Sequence, residues 1–449
     1  YQTRRRRLLR GIYLKGFDFT KTYQDLIEII ERDGGPEGFL LPAVDDYRSG
    51  TQYRTCLEAQ EYWKNRNPTI EKYRRLLYTV TGSAVPDNYS ADYKLASNVY
   101  FRFVTQTVQY LLGRGVRFDN PETAKRLGED FDFKLQTALT YAINGGAAYG
   151  LMNYDRLEVF GADEFVPIYD EETGALRAGI RFWQLSDEKP MRLTLYTEDG
   201  YTEYICRDGE LSVMSPKRPY KQSVGVIDGL EPIITDGGNY SCFPIVPLFS
   251  PRGQSSIVGF RRQIDCHDLI ESGYANDIDD ASLIYWTISN AGGMDDIDLA
   301  KFIRHMRTVR AAVVDDDGAK AEAHTVDMPY QSREAILDRL ESDMYRDFMV
   351  LNTNIISSGN STATAIKAAY EPMNLYSNML EANVRRFIRG LMKVIGISDE
   401  FKFLRSSIVN DLEKARTIQT RISTVLMLRE LFGDERIKEM VENILAQES

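Results

Sequence analysis

The feature that most constrains this chain is a pair of long amphipathic helices separated by a stretch of different character. The apolar residues of the first helix, which spans about 256–281, are Phe260, Ile264, Ile270, Tyr274, Ile278 and Ala281. Those of the second, which starts near Ser332, are Ile336, Leu340, Met344, Phe348 and Leu351. Steps of mostly three and four residues place one apolar stripe on one side of a helix. The polar residues Asp265, Asp268, Ser272 and Asp279 are therefore expected on the solvent side of the first helix.

A short polar loop follows the second helix and leads into a third. The loop consists of Ser357, Ser358, Gly359, Asn360, Ser361 and Thr362, small polar residues that disfavour a helix. Ser361 or Thr362 offers an N-cap for a helix whose apolar residues continue to Leu391. Pro372 lies inside this helix and removes one backbone hydrogen bond, so we expect a kink or two helical segments there. Such a plan is unusual for an enzyme and suits a structural component.

The rest of the chain is predicted to be helical at both ends with a β-rich part between them. Helices are expected at about 23–30, at 53–64, from residue 68 to about Leu77, and at 95–112 and 131–144. Strands are expected at 157–160, 165–169, 178–183, 191–196, 202–207 and 211–214. The insert between the long helices is expected to hold strands 283–288, 309–314 and 321–326 around a helix at 294–306. The tail is predicted to be helical at 408–424, 425–432 and 434–445.

Composition narrows the functional classes. A chain of 449 residues has room for two or three domains, and it has no apolar run long enough for a membrane helix. Its four cysteines form no C-x-x-C pair, which argues against a zinc site and a disulfide framework. The formal net charge is −11, whereas a protein that grips DNA phosphates is typically basic. The basic arm Arg4–Arg7 and Arg10 has no apolar segment of a secretory signal; it suits either contact with nucleic acid or a solvated tail.

No catalytic motif is recognisable in the sequence. It contains no G-x-S-x-G, no P-loop and no protein-kinase signature, and its histidines His267, His305 and His324 are not spaced as metal ligands. Three acidic clusters could in principle bind magnesium for nuclease chemistry: Asp277/Asp279/Asp280, Asp295/Asp296/Asp298 and Asp315/Asp316/Asp317. They are better explained as a helix face, a helix N-terminus and a hairpin turn. We therefore predict no catalytic residue, metal or cofactor.

Several patches, in order along the chain, resemble the tailed-phage portal proteins of the SPP1 Gp6 type. Residues 98–118 (NVYFRFVTQTVQYLLGRGVRF) resemble that family's asparagine-led helix with a Y-L-x-G turn, and 144–154 (NGGAAYGLMNY) resemble its passage from helix to strand. Residues 164–183 are similar to its hairpin, 264–280 to its first stem helix and 298–317 to its clip. The resemblance covers roughly residues 20–397.

The resemblance implies an α+β fold, mainly α, with a portal architecture of seven segments. These are a wing of helices and a β-rich subdomain (1–254), stem helix 1 (255–282), an αβ clip (283–330), stem helix 2 (331–352), a tunnel loop (353–363), a long wing helix (364–398) and a short helical crown (399–449). It further implies a homo-oligomeric ring, expected to be a dodecamer, at the capsid vertex of the virion, assembled in the host cytoplasm. Double-stranded DNA would pass through the ring during packaging and ejection.

The resemblance also implies the partners and the site residues. The expected partners are terminase, the adaptor or head-completion protein, the major capsid protein and the scaffold protein, with no membrane. Ser357, Ser358, Gly359, Asn360, Ser361 and Thr362 would form the tunnel loop facing DNA, although the residues alone fit a surface linker equally well. Asp265, Asp268, Ser272 and Asp279 would line the channel. Asp295, Asp296, Lys301, Arg304, Arg307, Asp315, Asp316 and Asp317 would form the docking surface of the clip.

Two rival functions stay open from the residues. One is a magnesium-dependent nucleic-acid enzyme that uses the Asp clusters, and the other is a ring-forming virion component that is not a portal. A DNA conduit should repel the duplex rather than grip it, so acidic residues on a stem helix fit the portal interpretation. The mixed charges of the clip fit exchangeable docking partners.

Overall fold

The computed structural model of the chain describes residues 20–78, 82–87, 91–154, 156–225, 233–281, 285–289, 320–324, 330–352, 363–405, 408–427, 433, 436–438 and 440–441. These residues contain more helix than strand, and the fold is α+β. The helices are α1 (Tyr23–Asp33), α2 (Glu37–Ser49), α3 (Thr51–Trp63), α4 (Pro68–Lys72), α5 (Val99–Leu112), α6 (Pro121–Leu127), α7 (Phe131–Gly145), α8 (Ile257–Ala281), α9 (Tyr330–Asp347), α10 (Ala363–Val394) and α11 (Ile408–Met427).

The described strands form small antiparallel sheets. They are β1 (Leu76–Tyr78), β2 (Ala84–Pro86), β3 (Val116–Phe118), β4 (Ala147–Asn153), β5 (Arg156–Gly161), β6 (Phe165–Tyr169), β7 (Leu176–Trp183), β8 (Met191–Thr197), β9 (Gly200–Arg207), β10 (Glu210–Arg218), β11 (Gln222–Gly225), β12 (Ile233–Asp236), β13 (Ile245–Phe249), β14 (Tyr285–Ser289), β15 (Lys320–His324) and β16 (Phe401–Phe403). The largest sheet has the order β10-β9-β8-β7-β6, and a second has the order β13-β4-β5.

The chain divides into two compact units. Unit 1 comprises Tyr1–Arg66, Asn98–Arg261 and Tyr345–Ser449, and unit 2 comprises Asn67–Ser97 and Arg262–Met344. The boundaries fall inside α8 and close to the end of α9, so both long helices contribute residues to both units. The seven-segment division expected from the sequence stays a prediction.

The five-stranded sheet of unit 1 forms one hydrophobic core with α1 and α2. Strand residues such as Ile180 and Leu193 are fully buried, and they belong to the same cluster as Leu26 and Phe39 of the two helices. The cluster takes alternate residues of β6, β7 and β8, such as Val166 and Ile168, so one face of the sheet lies against the helices, as period-two patterning requires. The Tyr47 hydroxyl at the end of α2 donates to the Ala162 carbonyl at 2.6 Å.

The second sheet of unit 1 packs against the long helix α10. A Cβ at Gly150 of β4 would lie 2.5 Å from Cζ of Phe387, and a Cβ at Gly390 would lie 2.6 Å from Cγ1 of Val246 on β13. Phe387 is 1 % exposed, so its ring has little room to withdraw. Glycines at both contacts let helix and sheet approach more closely than any larger residue allows.

Aromatic rings join four helical segments within unit 1. The Phe103 ring of α5 stacks on the Phe348 ring just after α9, with centroids 4.7 Å apart. Phe260, in the first turns of α8, lies 5.4 Å from Phe103, and Tyr376 of α10 lies 6.1 Å from it. The start of α8 and the end of α9 are thus fixed to a common aromatic cluster, which aromatic pairs stabilise beyond their buried area.

The sequence predictions of secondary structure are largely confirmed, with corrections after residue 72, at α2 and at Pro372. The helix expected from residue 68 to about Leu77 ends at Lys72, and Leu77 lies in strand β1. The six expected strands correspond to β5 through β10, and the first long helix corresponds to α8. Helix α2 lies in the N-terminal part expected to be helical, although no separate helix was expected at these residues, and it contains Pro42. The expectation that Pro372 divides the third helix is wrong, since α10 continues through that residue.

We predict opposite effects for two glycine-to-alanine substitutions. Gly150→Ala places a methyl group against the buried Phe387 ring, and we expect it to lower the free energy of unfolding by about 1–3 kcal/mol, a typical cost of overpacking. Gly273→Ala on α8 meets no atom within 4 Å, and we expect a gain of about 0.5–1 kcal/mol from helix propensity. Chemical denaturation of both variants checks this, and equal effects would contradict the packing described for β4 and α10.

Candidate functional site

The expected functional residues divide into those that the structure describes and those that it does not. The tunnel-loop residues 357–362 lie outside the described residues, as do all eight docking residues expected in the clip. The four polar residues of α8 are described. The geometry of the candidate site is therefore that of α8 and the parts of unit 2 that contact it.

The polar stripe of α8 is directed largely into the protein, which corrects the expectation that it faces solvent. Asp268 is 0 % exposed and Ser272 is 4 % exposed. Asp265 is half-buried, and Asp279 is exposed. In the opposite sense, Ile278 of the expected buried stripe is 51 % exposed, although Ile264 is buried as expected. A side chain buried within its own subunit has no surface with which to line a channel, so Asp268 and Ser272 cannot serve that role.

Residues 67–72 of unit 2 provide the first partners of the buried stripe. The Asn67 side chain acts in two directions: its Oδ1 accepts from the backbone N–H groups of Thr69 and Ile70 as the N-cap of α4, while its Nδ2 donates to Asp268 Oδ2 at 2.9 Å. The Thr69 hydroxyl donates to Asp265 Oδ2 at 3.0 Å. A buried carboxylate is tolerated only when it is hydrogen-bonded, and this short helix supplies the donors.

Residues 93–95 continue the same contact towards the C-terminal half of α8. The Leu95 N–H donates to Ser272 Oγ at 2.9 Å. Asn276 pairs with the backbone of Tyr93 on both sides, accepting from its N–H at 2.7 Å and donating to its carbonyl at 3.3 Å. The polar residues of α8 thus satisfy the backbone of a segment that has no regular strand partner at this point.

Asp277 links α8 to α9 through arginine. One of its carboxylate oxygens lies 2.5 Å from an Arg333 nitrogen of α9, and the other lies 3.9 Å from Arg75. This acid belongs to the first of the three clusters considered for magnesium binding. Its ion pairs with two arginines explain the presence of this acid without a bound metal. The other two acidic clusters lie outside the described residues.

His267 is the one expected histidine whose side chain is described. Its Nδ1 lies 3.1 Å from Asp268 Oδ1, and this hydrogen bond is the main cause that raises the pKa of the imidazole. Burial opposes the rise, while the charges of Asp268, Glu271 and Glu341 add to it. The described part of unit 2 therefore concentrates negative charge around this ring.

The contact between 67–97 and α8 was missed from the sequence, although a signal existed. Asp265, Asp268, Ser272 and Asn276 recur at steps of three, four and four residues, which is a helical stripe as regular as the apolar one. We interpreted a polar stripe as a solvated face. Such a stripe can equally well bond to the backbone of a neighbouring segment that lies outside regular secondary structure. Asn67-Pro68, a helix start, marks where that segment, residues 67–97, begins.

The two ends of the insert between α8 and α9 are paired. Strand β14 runs antiparallel to β15, with Tyr285 opposite His324 and Ser289 opposite Lys320. The strands expected at 283–288 and 321–326 are confirmed within a residue or two, whereas the one expected at 309–314 lies outside the described residues. In the parts of the chain that were searched, no helix combines the length and apolar character needed to cross a membrane.

Comparison with known proteins gives consistent matches. The profile of the family described as "Phage portal protein, SPP1 Gp6-like" matches residues 44–449. The portal protein of Clostridium phage phiCD119 is 24 % identical over 393 residues, covering 80 % of this chain and 84 % of that protein. The portal protein of Bacillus phage SPP1 is 23 % identical over 460 residues, covering 94 % and 88 %. A solved chain from the neck of a native GTA particle is 13 % identical with a TM-score of 0.44, covering 76 % of this chain and 89 % of that one.

We predict that the buried carboxylate is needed to hold residues 67–97 on α8. Asp268→Ala leaves the Asn67 amide and the His267 ring without their acceptor, and we expect a loss of about 1–3 kcal/mol in the free energy of unfolding. The matched control is Asp338→Ala on the exposed side of α9, expected to change it by less than about 0.5 kcal/mol. Denaturation measures the stability, and limited proteolysis should cut the Asp268→Ala variant within 67–97 first.

Proposed function

Because the chain belongs to the SPP1 Gp6-like family of phage portal proteins, we propose that it forms a ring, expected to be a dodecamer, through which double-stranded DNA enters and leaves the capsid. Membership makes it a structural component of the phage head–tail connector. The match across residues 44–449 is the single observation that carries the proposal. The proposed ring stands at the capsid vertex, is assembled in the host cytoplasm, and contacts the major capsid and scaffold proteins.

The arrangement of the central helices supports a stem and a clip. Helix α8 leads into β14, β15 returns into α9, and the antiparallel pair closes the insert into a module with both ends together. We assign docking of the packaging terminase, and later of the adaptor protein, to this module. Its expected docking residues remain the eight named from the sequence, which carry both signs of charge. A mixed-charge surface suits successive partners that must bind and release.

The loop 357–362 is proposed to reach towards DNA in the channel. It connects α9 to α10 and contains neither lysine nor arginine. Hydroxyl and amide side chains can contact the DNA backbone without the salt-sensitive grip of neutralised phosphates. Of the α8 residues considered for the channel wall, Asp279 is retained because it is exposed, and Asp265 because it is half-buried.

Two exposed faces in unit 1 support a contact between copies. On α10, Leu375 is 51 % and Met379 53 % exposed, and the same side of the helix continues into Arg386, Arg389 and Lys393. On α7, Phe133 is 67 % and Tyr141 37 % exposed, preceded by the exposed acids Glu129, Asp130 and Asp132. One face is apolar and basic and the other is aromatic and acidic. Rings close through two different, complementary surfaces, and these faces have that property.

Electron microscopy of the purified chain tests the ring and this contact together. We expect rings with a bore of roughly 20 Å or more, which is wide enough for a B-form duplex to pass. Leu375→Glu and Phe133→Lys should each reduce the ring fraction strongly, because the first places an acid against the acidic residues of α7 and the second places a base against the basic residues of α10. The control is Leu185→Glu, at a leucine that is 84 % exposed and lies outside both faces. Normal rings from both test variants would refute this interface without refuting ring formation.

A second experiment separates the portal from the magnesium-dependent enzyme. The triple change of Asp315, Asp316 and Asp317 to Asn should leave rings intact and weaken binding of terminase in a pull-down assay. An enzyme that used these acids would instead degrade DNA as a monomer in Mg²⁺ and lose that activity in the variant. Cleavage by the wild-type chain that disappears with the three substitutions would overturn the proposed function.

A further inference from the structure

Three metal-ligating side chains converge on a single turn of α8. His267 Nδ1, a carboxylate oxygen of Asp268 and one of Glu271 all lie within 4.8 Å of one another. Nδ1 is 3.1 Å from Asp268 Oδ1 and 3.8 Å from Glu271 Oε2. Ligand atoms of a tetrahedral zinc site, at about 2.0–2.2 Å from the metal, are separated by roughly 3.4 Å. The separations of 3.1 and 3.8 Å from His267 Nδ1 to the two carboxylates lie on either side of that value, so side-chain rotations would be needed to complete the site.

The surroundings of the three side chains favour a metal-binding site over a chance grouping of exposed side chains. Asp268 is fully buried and the His267 side chain is 14 % exposed, so two of the donors are held in place by packing. The other oxygen of Asp268 accepts from Asn67 Nδ2, which orients the carboxylate with Oδ1 towards the imidazole. Supporting hydrogen bonds of this kind fix the ligands of protein metal sites. The Glu271 side chain is 41 % exposed, which leaves the fourth position open to water.

We propose that His267, Asp268 and Glu271 form a binding site for a divalent transition metal of the zinc class. One imidazole nitrogen and two carboxylate oxygens suit Zn²⁺ better than Mg²⁺ or Ca²⁺, which prefer oxygen ligands alone. The carboxylate of Glu271 lies 3.8 Å from His267 Nδ1 and adds the negative charge that a bound cation needs. The ion would act structurally, since it would bind the carboxylate that holds residues 67–97 on α8. This inference goes beyond the proposed function and does not depend on ring formation.

The test is calorimetric titration of the chelator-treated full-length chain with Zn²⁺ at pH 8. We expect a saturable site and a rise in Tm on metal addition. His267→Gln and Glu271→Gln should each weaken binding by roughly tenfold or more, as loss of a ligand or its support commonly does. Asp268 is left unchanged, because its removal also disturbs Asn67. Absorption of bound Co²⁺ in the visible range provides a second readout of tetrahedral nitrogen and oxygen ligation.

Two control variants make the outcome decisive. Glu334→Gln removes an exposed acid on α9 and should leave the affinity unchanged. Cys266→Ser removes the exposed thiol next to His267 and should also leave it unchanged. If only Cys266→Ser abolishes binding, the metal is held by the thiol and the proposal fails. It also fails if Zn²⁺ gives no saturable heat, or if His267→Gln and Glu271→Gln bind as the wild type does.

Discussion

A carboxylate buried inside the subunit is the constraint on which unit 2 depends. Asp268 has no contact with solvent, so its charge must be met by donors from the protein. The amide of Asn67 and the ring of His267 meet it, and Asn67 at the same time begins α4. Because one side chain both caps a helix and neutralises a buried acid, neither α4 nor the central turn of α8 can move without the other.

The acidic residues of α8 serve two different purposes in a portal protein. A conduit for a polyanion needs a wall that does not bind it, and the chain is acidic as a whole. The charges of α8 nevertheless divide between two uses: Asp268 and Asp277 organise the subunit, whereas Asp279 faces outwards. The net charge therefore describes the electrostatic field of the chain as a whole. The role of an individual acid depends on which segment packs over it.

The sequence predicted element type well and burial less well. The β-rich part and the long helices followed from periodicity, since alternation and three-to-four steps record which face is apolar. Helix α2 lies in the part that was expected to be helical but was not recognised as a separate helix. Helix α10 continues through Pro372, where the flanking Tyr370 and Met373 are buried in one hydrophobic cluster. The regular polar stripe of α8 was recognisable in the sequence, but its burial was not, because the segment that covers Asp268 and Ser272 lies about 200 residues earlier in the chain. The local pattern of α8 does not say which distant segment packs on it.

The pairing of β14 with β15 has a consequence for how the inserted module can vary. These strands bring residues 285 and 324 together, so their pairing offsets the entropic cost of closing the segment between them. Loop-closure entropy rises only slowly with length, by about 0.6 kcal/mol for each doubling. Insertions, deletions or wholesale replacement between the two strands would therefore leave α8 and α9 almost undisturbed. The paired strands β14 and β15 therefore form a base at which the residues between them can be exchanged while the two flanking helices stay constant.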